Sequence, residues 1–220
     1  MATRIVLIDE NIYDSLLLAC ALENDGINVS NTSNNFSDLD ALMKQNKPDA
    51  IVLSFDTHVS QALSAAQKAR KVNPEVGLVF LTNVPDLRLL GINAKELPQG
   101  SKVIIKNSVK QLDALTNAIK GSIQDLETIA SSLDESAFVS HLQSLTQVQI
   151  ETLRLVALGS SNAEIARIRL VTEKAVEHTI TRMLQALKIA ANPRHNARVL
   201  LSREYFRWVV VDNQSPKLVP

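Results

Sequence analysis

This chain of 220 residues has one cysteine, one tryptophan, two tyrosines and no net charge. Each scarcity removes a class of protein. A single cysteine, Cys20, excludes an internal disulfide, so stability has to come from packing. Its apolar neighbours Leu16–Leu22 mark it as a buried structural thiol. That stretch is also the longest uninterrupted apolar run, and it is far too short to span a bilayer. The N-terminus enters a strand-like run at Arg4–Ile8 with no leader pattern, so a cytoplasmic location without membrane contact is expected. The sequence also lacks a P-loop, zinc-ligand spacing, a nucleophile elbow and a catalytic Cys/His pairing. Neither enzymatic activity nor a cofactor is expected.

What is present is unevenly distributed. Residues 1–140 carry 12 Lys/Arg against 17 Asp/Glu, a net of −5. Residues 141–220 carry 11 against 6, a net of +5. A basic C-terminal part beside an acidic one points to a polyanion that meets only the C-terminal part.

Residues 1–121 alternate strand and helix patterns. Strands are expected at Arg4–Ile8, Ile27–Ser30, Ala50–Phe55, Gly77–Leu81 and Lys102–Ile105. Helices are expected over Ile12–Leu22, Ser37–Gln45, Val59–Val72 and a long segment after Ser108 with Leu112, Leu115 and Ile119 on one face. Pro85, Pro98 and Gly100 leave room for only a short helix around Leu87–Leu90. Five such units predict a doubly wound, flavodoxin-like parallel sheet.

The carboxyl ends of those strands form the site of such a fold. They carry Asp9 and Glu10, then Ser54 and Asp56, Thr82, and Lys106. Two acids, a hydroxyl and a lysine in this order make residues 2–121 resemble the receiver domain of bacterial response regulators. The resemblance implies that Asp9 and Glu10 are candidate Mg²⁺ ligands and that Thr82 and Lys106 would bind phosphoryl oxygens. It departs at the decisive position, because Pro48–Leu53 leads into Ser54 where the family has its phosphorylated aspartate. A hydroxyl without an activating base is no such nucleophile, and His58 is not placed to serve. Val103 stands where the family usually has an aromatic. Asp56 is expected in the loop. Asp9, Glu10 and Lys106 read either as a remnant charge cluster that holds loops or as a residual metal or small-anion site. The domain is expected to be a pseudo-receiver, controlled by dimerisation, a protein partner or a small ligand.

Residues 122–144 are expected to be a helical linker, either passive or pairing with its copy in a dimer. Residues 145–208 carry three punctuated helices. Thr146 and Gln149 fit a capping box, with Leu145 stapling onto Ile150. Gly159 stops the first helix, Ser161 and Glu164 fit a second box, and Thr172 caps a third helix with Glu173 in its first turn. On that helix Val176, Ile180, Met183, Leu184 and Leu187 share one face, and Lys174, His178, Thr181, Arg182 and Gln185 the opposite one.

Leu145-Thr146, Leu153, Leu155, Gly159, Ser161–Ala166, Thr172–Lys174, Val176 and Leu187 make this segment resemble the LuxR-type (NarL/FixJ-type) helix-turn-helix domain. The resemblance implies a small all-α domain that binds double-stranded DNA, with Thr172, Lys174, Glu177, His178, Thr181, Arg182 and Gln185 as contact residues. It departs at Glu177, where the family usually has lysine. The acid either costs affinity near phosphates, accepts from cytosine, or pairs with Arg182 or Lys174. A last helix over His195–Trp208 closes the core, and its Tyr205, Phe206 and Trp208 pack there or form a homodimer contact. Residues 209–220 are expected to be a tail without fixed structure. The sequence thus predicts a DNA-binding transcription regulator with an atypical receiver. The alternatives are a phosphorylation-dependent regulator using Asp56 and an interaction module with weakened DNA binding.

Overall fold

The structure is a computed structural model that describes residues 2–56, 58–106, 112–124, 130–132, 142, 144–189 and 194–209. The expected tail beyond 209, His141, most of the expected linker and the start of the helix after Ser108 lie outside these residues. The chain divides into two compact units.

The first unit comprises Met1–Asn83 and Ala94–Asp134. Its strands are β1 (Arg4–Asp9), β2 (Asn28–Ser33), β3 (Ala50–Ser54), β4 (Gly77–Thr82), β5 (Lys102–Ile105) and β6 (Ala130–Ser132). Its helices are α1 (Ile12–Asn24), α2 (Leu39–Asn46), α3 (Val59–Val72) and α4 (Asp113–Gln124). The strand order is β2-β1-β3-β4-β5-β6, all parallel. This is the flavodoxin-like winding that the alternation predicts, with one strand added.

The central strands β1, β3 and β4 are apolar almost throughout because both faces of a parallel sheet are covered. Ile5, Leu7, Val52, Val79 and Leu81 share one cluster with Leu22 of α1 and Leu115 and Ile119 of α4. By the two-residue period, Val6, Ile8, Ile51, Leu53, Leu78 and Phe80 face the other way. They too are fully buried. Helix α3 buries a stripe of Ala62, Ala65, Ala66 and Ala69, small side chains that let it approach closely. Edge strand β2 has the sequence NVSNTS and no fully buried residue, which blunts it against pairing with another chain.

One expectation fails here. Cys20 is exposed, not buried. A helix lying on a sheet buries one stripe, and in α1 that stripe runs through Ser15, Ala19 and Leu22. Leu17 and Tyr13 point outward with it, at 72% and 76% exposure. Of the expected helical linker, residues 122–124 continue α4, whereas Ala130–Ser132 pairs with β5 as a sixth strand; the rest lies outside the described residues. The open edge of β5 offers unpaired backbone groups, and that demand outweighs the weak helical spacing of the segment. Helix α4 does run through Gly121, to Gln124.

The second unit comprises Val84–Asn93 and Glu135–Pro220. Its helices are α5 (Gln147–Ala157), α6 (Asn162–Arg169), α7 (Glu173–Ala186) and α8 (Ala197–Val209). A 3₁₀ turn over Leu87–Leu90 belongs to it as well. Leu89 is fully buried and shares a cluster with Leu145, Ile150, Leu153, Val176, Met183, Leu201, Tyr205 and Trp208. The Tyr205 hydroxyl donates to the Leu89 carbonyl at 2.9 Å. Arg88, held by Asp86, donates to the Leu145 carbonyl at 3.3 Å. The short helix expected at Leu87–Leu90 is therefore present, but it completes the core of the helical unit.

Candidate nucleic-acid interface

Three tight helix ends shape this unit. Helix α5 starts in a full capping box: Thr146 accepts from the Gln149 amide, and the Gln149 side chain accepts from the Thr146 amide at 2.8 Å. It ends at Gly159 with φ 87°, where the Ser160 amide returns to the Leu155 carbonyl. Helix α6 closes the same way through Leu170 (φ 53°) and the Val171 amide on Ala166, and α7 through Lys188 (φ 53°) and the Ile189 amide on Leu184. These are Schellman closures, which favour glycine at the left-handed position. Only the first has it.

The second capping box is one-sided. Ser161 accepts from the Glu164 amide at 3.1 Å, but the Glu164 carboxylate is taken by Arg167 at 2.7 and 2.9 Å. That pairing holds the Glu164 carboxyl below its usual range. Thr172 caps α7 by accepting from the Ala175 amide at 3.2 Å.

The projection of α7 is matched in three dimensions. Val176, Ile180, Met183 and Leu184 are buried, while Lys174, Glu177, His178, Thr181, Arg182 and Gln185 are exposed. Burying that stripe fixes the rotation of the helix and so which polar side chains face outward. Thr181 spends its proton on the Glu177 carbonyl at 3.0 Å, which leaves its oxygen as an acceptor. Among the described residues Glu177 forms no ion pair with Lys174 or Arg182, so the intrahelical pairing considered for it is not present.

Two arginines that sequence reasoning did not single out fix the motif. Arg198 of α8 donates to the Asn162 side chain at 2.7 Å and to the Ser160 carbonyl, tying down the start of α6. Arg169, at the end of α6, donates to the Thr152 hydroxyl of α5 at 2.7 Å. Both are long-range contacts with no periodicity that could announce them.

In the first unit the strand ends bring the predicted pocket residues together. Ser54 is buried and pairs in register with Asp9 on β1. Asp9 accepts from the Asn11 amide at 2.9 Å and from Lys106 Nζ at 3.1 Å. Glu10 accepts from the His58 amide at 2.8 Å. Asp56 accepts from the Thr82 hydroxyl at 3.0 Å and from Asn83 at 2.7 and 2.8 Å. Each acid is thus engaged in holding a loop. These residues do not fit a Mg²⁺ site: the metal needs converging oxygens, whereas Ser54 has no carboxylate and Lys106 stands on Asp9. Among the described residues no group of three or more His, Cys, Asp or Glu is placed to hold a metal. No helix among them is long and apolar enough to cross a membrane. Val103, where the receiver resemblance implies an aromatic, is buried.

Residues 143–197 match the family model "Bacterial regulatory proteins, luxR family". The match covers the helical unit, and a flavodoxin-like unit precedes it, an order of folds that the chain shares with the solved structures it resembles. Over 187 residues it is 26% identical to the uncharacterized transcriptional regulatory protein YxjL of Bacillus subtilis, covering 80% of this chain and 83% of that protein. Among solved structures it resembles a chain from the structure of two RcsB dimers bound to two parallel DNAs (TM-score 0.57, 14% identity, 95% of this chain and 100% of that one). It also resembles RcsB from Salmonella enterica serovar Typhimurium bound to promoter rprA (TM-score 0.51, 14% identity, 94% and 99%). At these identities the likeness is one of fold.

Proposed function

We propose that this chain is a LuxR-type response regulator, a DNA-binding transcription regulator that acts as a homodimer and is not switched by phosphorylation at the usual strand position. The exposed polar face of α7 carries the reading: two cations and three hydrogen-bonding side chains stand on a helix whose rotation is fixed by its buried stripe. Lys174 and Arg182 supply phosphate or guanine contacts, and His178, Thr181 and Gln185 supply hydrogen bonds to base edges. Thr172 acts chiefly as the cap that aims the helix. The structural relatives described as DNA-bound RcsB support the same partner. Val199 and Phe206, exposed at 64% and 44% one heptad apart on α8, supply an apolar strip for a second copy, and a dimer would read two half-sites.

The receiver-like unit is inert to phosphoryl transfer in this reading because Ser54 replaces the acceptor and Asp56 is committed to Thr82 and Asn83. A phosphoryl group on Asp56 would have to displace two hydrogen bonds at Oδ1 or one at Oδ2. Incubating the full chain with a small phosphodonor and Mg²⁺ and then measuring intact mass tests this. No adduct is expected. A stable gain of one phosphoryl group would replace this reading with a phosphorylation-dependent one centred on Asp56.

A further inference from the structure

A groove of about 510 Å³ in the second unit lies between the end of α7 and helix α8. Its lining includes Lys188, Arg203, Glu204 and Arg207, with His195 beside them. Arg203 and Arg207 stand one turn apart, and each side chain is 50% exposed. Both lean on one acid, with Glu204 at 3.6 Å from Arg203 and 2.9 Å from Arg207. One carboxylate cannot neutralise two guanidinium groups and a neighbouring ammonium, so the groove keeps a positive excess.

Lys188 connects this groove to the α7 face. It follows exposed Gln185 by three residues and so continues the row of polar side chains past the end of the helix. It does so at φ 53°, in a left-handed position that glycine would fill with less strain. The left-handed turn closes α7 and leaves the exposed Lys188 at the mouth of the basic groove.

We propose that this groove seats the phosphate backbone of double-stranded DNA beside the bases read by α7. This rests on the DNA-binding reading above. Lys188, Arg203 and Arg207 are the phosphate contacts, and Glu204 partly neutralises the two arginines and so limits their affinity. Arg203 lies between Val199 and Phe206 on α8, four residues after one and three before the other, so the groove borders the apolar strip left to the second copy, and Arg207 stands farther from it. Continuity with the α7 face favours DNA over an acidic protein as the occupant.

The test uses the full chain and a labelled mixed-sequence DNA duplex, with binding followed by anisotropy over a salt series. Each lost phosphate contact removes about 0.9 from the slope of log affinity against log salt. The double variant R203Q/R207Q should therefore bind more weakly with a slope shallower by about 1.8. E204Q should bind more tightly with a slope no shallower than that of the parent. Trp208 fluorescence should match the parent in both, showing that the unit is folded. An unchanged slope in R203Q/R207Q, or weaker binding by E204Q, overturns the assignment. So does a changed monomer–dimer equilibrium at constant slope, which would make the groove an interface between copies. If the parent chain shows no salt-dependent binding at all, the DNA-binding reading falls and the groove assignment with it.

Discussion

At the scale of the residue, three side chains of the helical unit lend themselves to single substitutions. Leu170 closes α6 with φ 53° and is 91% exposed, so it bears left-handed strain and returns almost no burial. Leu170→Gly should stabilise the unit by roughly 0.5–1 kcal/mol, read as a higher urea midpoint of Trp208 fluorescence. A lower midpoint would mean that the leucine has a partner. Among the described residues Glu177 has no ion pair, and it is exposed on the outward face of α7. Glu177→Lys should strengthen binding to non-specific DNA, by on the order of 1–3 kcal/mol, and relax sequence choice. If specific binding disappears instead, Glu177 is itself a reader of the sequence. Tyr205 is 6% exposed, and burial pushes its phenol above the ordinary value, with Arg154 opposing weakly. Its folded-state pKa is raised, so the stability it contributes is present below the unfolded value of about 10 and is lost as pH rises beyond it. Urea midpoints taken from neutral to alkaline pH should fall less steeply in Tyr205→Phe than in the parent. Equal slopes would contradict the burial effect.

At the scale of the element, the sequence was most legible where the physics is local. Caps at Thr146, Ser161 and Thr172 and the stop at Gly159 are written within four residues of where they act, and the structure has them there. The buried stripe of α7 follows from helical spacing alone. What could not be read is non-local. Strand β6 depends on the open edge of β5, and the outward turn of Cys20 depends on which stripe of α1 meets the sheet. The 3₁₀ turn at Leu87–Leu90 was expected, but its destination was not, since no periodicity tells a leucine which core to join. Leu89 should be a keystone of the second unit. Leu89→Ala in the full chain should cost about 2–5 kcal/mol of that unit's stability, seen as an earlier Trp208 transition in urea. An unchanged transition would mean that Val84–Asn93 does not belong to this core. Of the candidate site, the α7 face and the strand-end acids were legible. Arg198, Arg169 and Asn83 were not, because each acts on a partner far off in sequence or through a loop geometry that composition does not encode.

At the scale of the whole molecule, a neutral chain conceals an acidic part of −5 and a basic part of +5. The basic part carries the α7 face and the α8 groove, and the acidic part carries carboxylates that are spent on loops. That division fits a regulator in which one part meets a polyanion and the other receives an input that is not a phosphoryl group. The most direct measurement is binding of the full chain to fragments selected from genomic DNA, across a salt series, before and after treatment with a phosphodonor and Mg²⁺. The account predicts selection of a defined sequence, affinity that falls steeply with salt, and no change on treatment. Failure to select any sequence, or binding that appears only after treatment, would contradict it.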